Sequence, residues 1–152
     1  MAGVLGAASA TGYADQNPAK VDRKADHRGA IIRRFFRENR SPVEGYAEAF
    51  VMEADAHHLD WRLLPSLAFV ESGGGQRNRK NNIFGWANGA RHFSTATEAI
   101  HHVAEALAEA RAYKGKDLAA KLTAYNPTPG YNRAVSAVMR KISPLVPVRD
   151  GY

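Results

Sequence analysis

The chain has 152 residues, 45% of them hydrophobic and 24% charged, which fits one ordinary globular domain with a single core. It has no cysteine, so disulfides and thiolate metal sites are excluded, and no apolar run approaches the roughly 20 residues that span a bilayer. A net charge of +6 points to an anionic partner such as nucleic acid, anionic lipid or the bacterial wall polymer, and selects none of them.

Residues 1–20 are small and weakly apolar and lack the basic start of a signal peptide. They read as a flexible lead or the remnant of a processed signal, with a single domain over 21–152. Within residues 1–42, 8 Lys/Arg stand against 4 Asp/Glu, so most of the positive excess is N-terminal. The pattern from Asp22 to Asn39 is helical. Its arginine run, Arg28 to Arg40, is interrupted by Ile31, Ile32, Phe35 and Phe36. A nucleic-acid reader keeps its basic residues on one face, so this predicts a docking helix and no nucleic-acid partner.

Ser41-Pro42 has the form of an N-cap followed by proline at the first helical position. The helix it opens, Val43 to about His57, places Tyr46, Phe50 and Ala54 on one stripe. Asp60 caps the next, Trp61 to Ser72, apolar on most faces as for a helix surrounded by others. Pro65 moves its regular part to about Leu64. Residues 73–93 read as loop with a short hairpin around Ile83–Trp86 and Arg91–Phe93. Thr95-Ala96-Thr97-Glu98 matches a capping box opening a helix to about Tyr113, and Gly115 breaks it. A short helix from Asp117 to Tyr125, the turn Asn126-Pro127-Thr128-Pro129-Gly130, and a helix from Tyr131 to Ile142 complete a mainly α chain of about six helices.

Leu64, Leu67, Ala68 and Glu71 share one helical face, so Glu71 extends an apolar stripe. Desolvation of such a carboxylate favours its protonated form, the state in which a glycosidase acid protonates a departing sugar oxygen; lysozyme is the standard worked case. The competing expectation is a solvated carboxylate at a frayed helix end. Gly73-Gly74-Gly75 behind it serves either as a C-cap or to bring a ligand close to the backbone.

The segments "AFVESGGG", "NNIFGW" and "AYNPTPGY" resemble the lysozyme-like superfamily of peptidoglycan-cleaving enzymes, near soluble lytic transglycosylases and bacterial endo-β-N-acetylglucosaminidases. The resemblance spans about Tyr46 to Ile142. It implies a lysozyme-like fold around a buried central helix, with Glu71 as catalytic acid and Ser72 beside it. Asn81, Asn82, Phe84 and Gly85 match the glucosaminidase "NN-x-F-G" segment. Ala124, Tyr125 and Asn126 match the transglycosylase "AYN", in which the tyrosine lies over the active site and the asparagine contacts sugar. The transglycosylase "GLMQ" segment is replaced by "NIFGW", and "AYN" continues as Pro127-Thr128 instead of "AG".

The implied chemistry is cleavage of the β-1,4 glycan backbone of peptidoglycan. In the one-acid scheme of transglycosylases, the sugar's acetamido group assists, the acid returns as a base, and an anhydro ring closes. A hydrolase needs a second carboxylate. Glu98 is the candidate, although its place in T-x-x-E favours a helix cap. Trp86 is the foremost stacking candidate, ahead of Phe84, Tyr125 and Tyr131. Arg77 is a candidate partner for wall carboxylates, whereas Arg79 and Lys80 read as a solvated basic loop.

His57-His58 and His101-His102 are adjacent pairs that diverge on a helix and match no ligand spacing, so no metal and no cofactor are expected. The resemblance further implies a periplasmic or secreted monomer acting on glycan strands. A catalytically idle glycan-binding module remains the alternative from another class.

Overall fold

The structure is a computed structural model that describes residues 26–77 and 80–144. It is mainly helical: α1 (Arg28–Glu38), a 3₁₀ turn (Pro42–Tyr46), α2 (Ala47–Ala56), α3 (Leu63–Ser72), α4 (Ala96–Glu109), α5 (Leu118–Tyr125) and α6 (Tyr131–Ile142). No helix among the described residues is long and apolar enough to cross a membrane. The expected lead over residues 1–20 and the helical start before residue 26 lie outside the described residues, as does Arg79.

Local chemistry sets most boundaries. Ser41 is an N-cap whose Oγ accepts from the Val43 N–H, and Pro42 follows at the first helical position. The expected helix from Val43 divides there, its first turn tightening to 3₁₀ before α2 begins. α3 starts at Leu63, so Pro65 sits in the first turn, where its missing N–H costs nothing. Thr95 and Glu98 form the anticipated capping box. Thr95 Oγ1 accepts from the Glu98 N–H at 3.1 Å, and Glu98 Oε2 accepts from the Ser94 N–H at 2.7 Å. Thr95→Ala is expected to cost about 1 kcal/mol in urea denaturation, the usual loss for an N-cap hydroxyl.

α3 packs against α6, α2 and α4. Its Leu64, Leu67 and Ala68 are fully buried beside Phe36, Phe50, Ile100, Val103, Val135 and Met139. At its N-terminal end the Arg62 side chain is also fully buried, bonded to both oxygens of Asp60 and, at 3.1 Å, to the Ser143 carbonyl behind α6.

α1 lies on the outside and docks through Ile32, Phe35 and Phe36. Its arginines meet carboxylates: Arg28 pairs with Asp26 and Asp55, Arg33 with Glu48, Arg34 with Glu38 and Arg37 with Glu44. The basic run is therefore largely neutralised by carboxylates of α2, of the 3₁₀ turn, of α1 itself and of Asp26 just before it.

The hairpin expected around residues 83–86 and 91–93 is not formed, and the described residues contain no strand. Asn82 takes over the bonding that a ladder would supply. Its Nδ2 donates to the carbonyls of Trp86 (2.9 Å) and Arg91 (3.1 Å), and its Oδ1 accepts from the Trp86 N–H (2.8 Å). Asn81 adds bonds from its Nδ2 to the carbonyls of Phe93 (3.0 Å) and Ser94 (2.9 Å), so two neighbouring amides brace a turn-rich loop.

Candidate active site

Glu71 reaches its place because α3 runs buried for two turns and ends at a wall of the molecule. Leu64, Leu67 and Ala68 hold its face of the helix against the core, and Glu71 emerges half-buried one turn later. Behind it, Gly73 and Gly74 donate to the Phe69 and Ala68 carbonyls and close the helix end. The three glycines are buried and serve backbone packing, not ligand access. A Cβ on Gly74 would stand 2.3 Å from Ser41 Oγ and 3.0 Å from the Phe36 ring, and Ser41 Oγ donates to the Gly74 carbonyl. Ser72 is the companion clamp: its Oγ lies 2.8 Å from the Ile83 carbonyl and accepts from the Gly75 N–H at 2.7 Å.

A cleft of about 640 Å³ opens over Glu71. Trp86, Tyr113 and Tyr125 form its aromatic wall, and Ala87, Asn88, Asn126, Pro127 and Thr128 line its rim. The Trp86 ring stands 5.8 Å from Tyr125 and 6.4 Å from Tyr113, with the His102 ring edge-on at 5.5 Å. Glu71 is the one carboxylate among the described residues that line this cleft.

Tyr131, the first residue of α6 and 8% exposed, donates to Glu71 Oε1 at 2.5 Å. Tyr125 stacks on the Tyr131 ring at 6.1 Å and 12°, and its own hydroxyl donates to the Phe84 carbonyl at 2.8 Å. Burial, and then the hydrogen bond to Glu71, push the Tyr131 phenol far above its ordinary range. Burial and the Glu71 charge do the same to Tyr125. Both phenols therefore stay protonated at any working pH, so Tyr131 acts toward Glu71 as a donor and not as a base.

Gly85 limits the other side of the carboxylate. Its φ is +60°, and a Cβ there would lie 3.2 Å from Glu71 Oε2. Gly85→Ala is expected to cost about 1–2 kcal/mol from the left-handed backbone alone. It should also push the Glu71 carboxylate away from the Tyr131 hydroxyl, which a crystal structure of the variant would show. Gly89 supplies the control, because its φ is +78° and nothing lies within 4 Å of a Cβ. Gly89→Ala should show the stability loss with the Glu71 side chain unmoved, read by denaturation and crystallography side by side.

The residues singled out in the sequence divide between cleft and scaffold. Glu71, Gly85, Trp86, Tyr125 and Asn126 come together in the cleft. Asn126 Oδ1 also accepts from the Thr128 N–H, which fixes the rim turn. Phe84 is 1% exposed with its ring against Phe50, so it offers no face to a sugar and contributes its carbonyl instead. Ser72 and Asn82 are 4% and 5% exposed and spend their polar atoms on the backbone around the site. Arg77 is exposed and lies outside the cleft lining. Glu98 is exposed at the start of α4, where the Ser94 N–H lowers its pKa, and it too lies outside the lining.

Sequence reasoning misses the role of one residue of the site and the whole of another. Tyr131 is singled out there as a stacking candidate, whereas its hydroxyl holds Glu71, 60 positions away. Tyr113 stands in the turns after α4, with no local signal that it faces the loop carrying Trp86.

No protein-family model matches the chain, and a search of curated proteins finds no match either.

Proposed function

We propose that the chain cleaves the β-1,4 glycan backbone of bacterial peptidoglycan, with Glu71 as general acid and then base in a lytic transglycosylase-like reaction. The observation that carries this reading is a lone carboxylate at the floor of an aromatic-walled cleft, held from one side by the Tyr131 hydroxyl. The resemblance in "AFVES", "NNIFG" and "AYN" supports it, and so does the helical frame, which is compatible with a lysozyme-like fold.

In this reading, sugar rings lie along Trp86 and Tyr113, whose faces match the apolar C–H surface of a pyranose. Tyr131 holds Oε1, which leaves Oε2, beside Gly85, to meet the glycosidic oxygen. Glu71 gives its proton to that oxygen as the C–O bond breaks, and the substrate's acetamido oxygen shares the positive charge at the anomeric carbon. Glu71 then takes the proton of the sugar hydroxyl that closes the anhydro ring, which restores the acid without consuming water. Glu98, engaged at its helix cap, leaves the one-acid scheme favoured over hydrolysis by two carboxylates. The pairing of the α1 arginines speaks against a nucleic-acid partner. A periplasmic or secreted location and a monomeric state belong to the same proposal.

Mass spectrometry of fragments released from purified peptidoglycan tests the reaction type. Anhydro-ended muropeptides are expected. Ordinary reducing ends would replace the one-acid scheme with hydrolysis. No release would leave a glycan-binding module.

A further inference from the structure

Adjacent histidines on a helix diverge by about 100°, so neither His57-His58 nor His101-His102 chelates as a pair. The fold instead takes one histidine from each. His57 closes α2 and His101 lies in the first half of α4, with ring centroids 5.9 Å apart. Glu53 is one helical turn before His57, and its Oε2 stands 2.9 Å from His101 Nδ1 and 3.6 Å from His57 Nε2. The three ligand atoms all lie within 4.8 Å of one another. Ligands on a tetrahedral zinc, bonded at about 2.0–2.1 Å, stand about 3.3 Å apart, so small side-chain rotations bring all three to one ion.

We propose that Glu53, His57 and His101 form a binding site for a divalent transition-metal ion, zinc first among them, that clamps α2 to α4. Two imidazole nitrogens and one carboxylate suit a borderline ion and not calcium or magnesium, which take oxygen ligands. The i, i+4 spacing of Glu53 and His57 puts two ligands on one helical face, and α4 supplies the third. Three protein ligands leave a fourth position for water. The Glu53 and His57 side chains are 22% and 18% exposed while His101 is 56% exposed, so an ion enters from the His101 side toward two sheltered ligands.

Further carboxylates surround the group. Glu105 adds a negative charge beside His101, whereas Glu109 is already paired with Lys114 at 2.8 Å. Without metal, the hydrogen bond to Glu53 holds a proton on His101 more tightly than usual; an ion must displace that proton. None of the three residues lines the Glu71 cleft, so the proposal stands apart from the enzymatic reading.

The test is calorimetric titration of the full chain, stripped with chelator, with zinc chloride, together with thermal melts with and without zinc. One ion per chain and a rise in Tm are expected. Loss of an outer-shell partner costs metal sites about 10–100-fold in affinity, so removing a ligand by His101→Ala should cost more than about 100-fold. Glu53→Gln should weaken binding similarly, and His58→Asn, at an exposed neighbour, should leave it unchanged. His101 is exposed enough for its variant to fold, which keeps the comparison clean. Absence of binding, or zinc affinity that survives His101→Ala, would overturn the site and leave an ordinary hydrogen-bonded ion pair.

Discussion

Glu71→Gln is expected to lower turnover on peptidoglycan by about 10²–10⁴-fold, the usual contribution of a general acid–base group, while the fold and glycan affinity stay close to wild type. The substitution is nearly isosteric. The amide oxygen can still accept from the Tyr131 hydroxyl, so the contact that aims the side chain survives. What disappears is the proton and the capacity to take one back. Aspartate would be a poorer choice, since shortening the chain would abandon Tyr131 as well. Initial rates of muropeptide release, with a pull-down on insoluble wall and a thermal melt, measure the three properties separately. Retained turnover would remove Glu71 from the chemistry, and lost binding would assign it to recognition.

Arg62→Ala should be the most damaging change to the scaffold, lowering stability by about 3–5 kcal/mol, as removal of one partner from a buried ion pair does elsewhere. The Arg62 side chain is fully buried and Asp60 is 13% exposed, at 2.6 Å. Its guanidinium joins the turn before α3 to the carbonyl of Ser143, so it holds the two helices that carry Glu71 and Tyr131. Truncation leaves the Asp60 charge uncompensated and opens a void in the core. A Lys at this position should recover little, because one ammonium cannot reproduce the planar fork that meets both Asp60 oxygens. Urea denaturation followed by circular dichroism would measure both. A loss under about 1 kcal/mol for Arg62→Ala would show that the pair contributes little.

Helices were legible where local signals punctuate the chain. Ser41-Pro42 and Thr95 with Glu98 cap elements where the sequence placed them, and the helix expected from Asp117 starts there, with Asp117 Oδ1 accepting from the Ala120 N–H at 2.7 Å. Periodicity likewise put Glu71 at the end of a buried face. The loop between α3 and α4 was harder. Ile83, Phe84 and Phe93 are buried, as strand residues would be, but the side chains of Ser72, Tyr125 and Asn81 take their carbonyls, and no ladder forms among the described residues. The glycines behind Glu71 left a C-cap and ligand access both open; Gly73 is the left-handed C-cap, and the crowding of Gly74 and Gly75 by Ser41, Pro42 and Val43 comes from more than 30 positions earlier. The same limit hid the bond between Tyr131 and Glu71 and separated one histidine from each pair. Composition and spacing report what a segment can do alone, whereas these contacts exist only once α1, α4 and α6 are packed.

In the proposed reaction a glycan lies in the aromatic cleft with its scissile bond at Glu71. A crystal structure of Glu71→Gln with a wall-derived tetrasaccharide tests it most directly. Sugar rings are expected against Trp86 and Tyr113, with a glycosidic oxygen within about 3 Å of the residue 71 side chain beside Gly85. A tetrasaccharide bound elsewhere on the surface, or a cleft that excludes it, would contradict it.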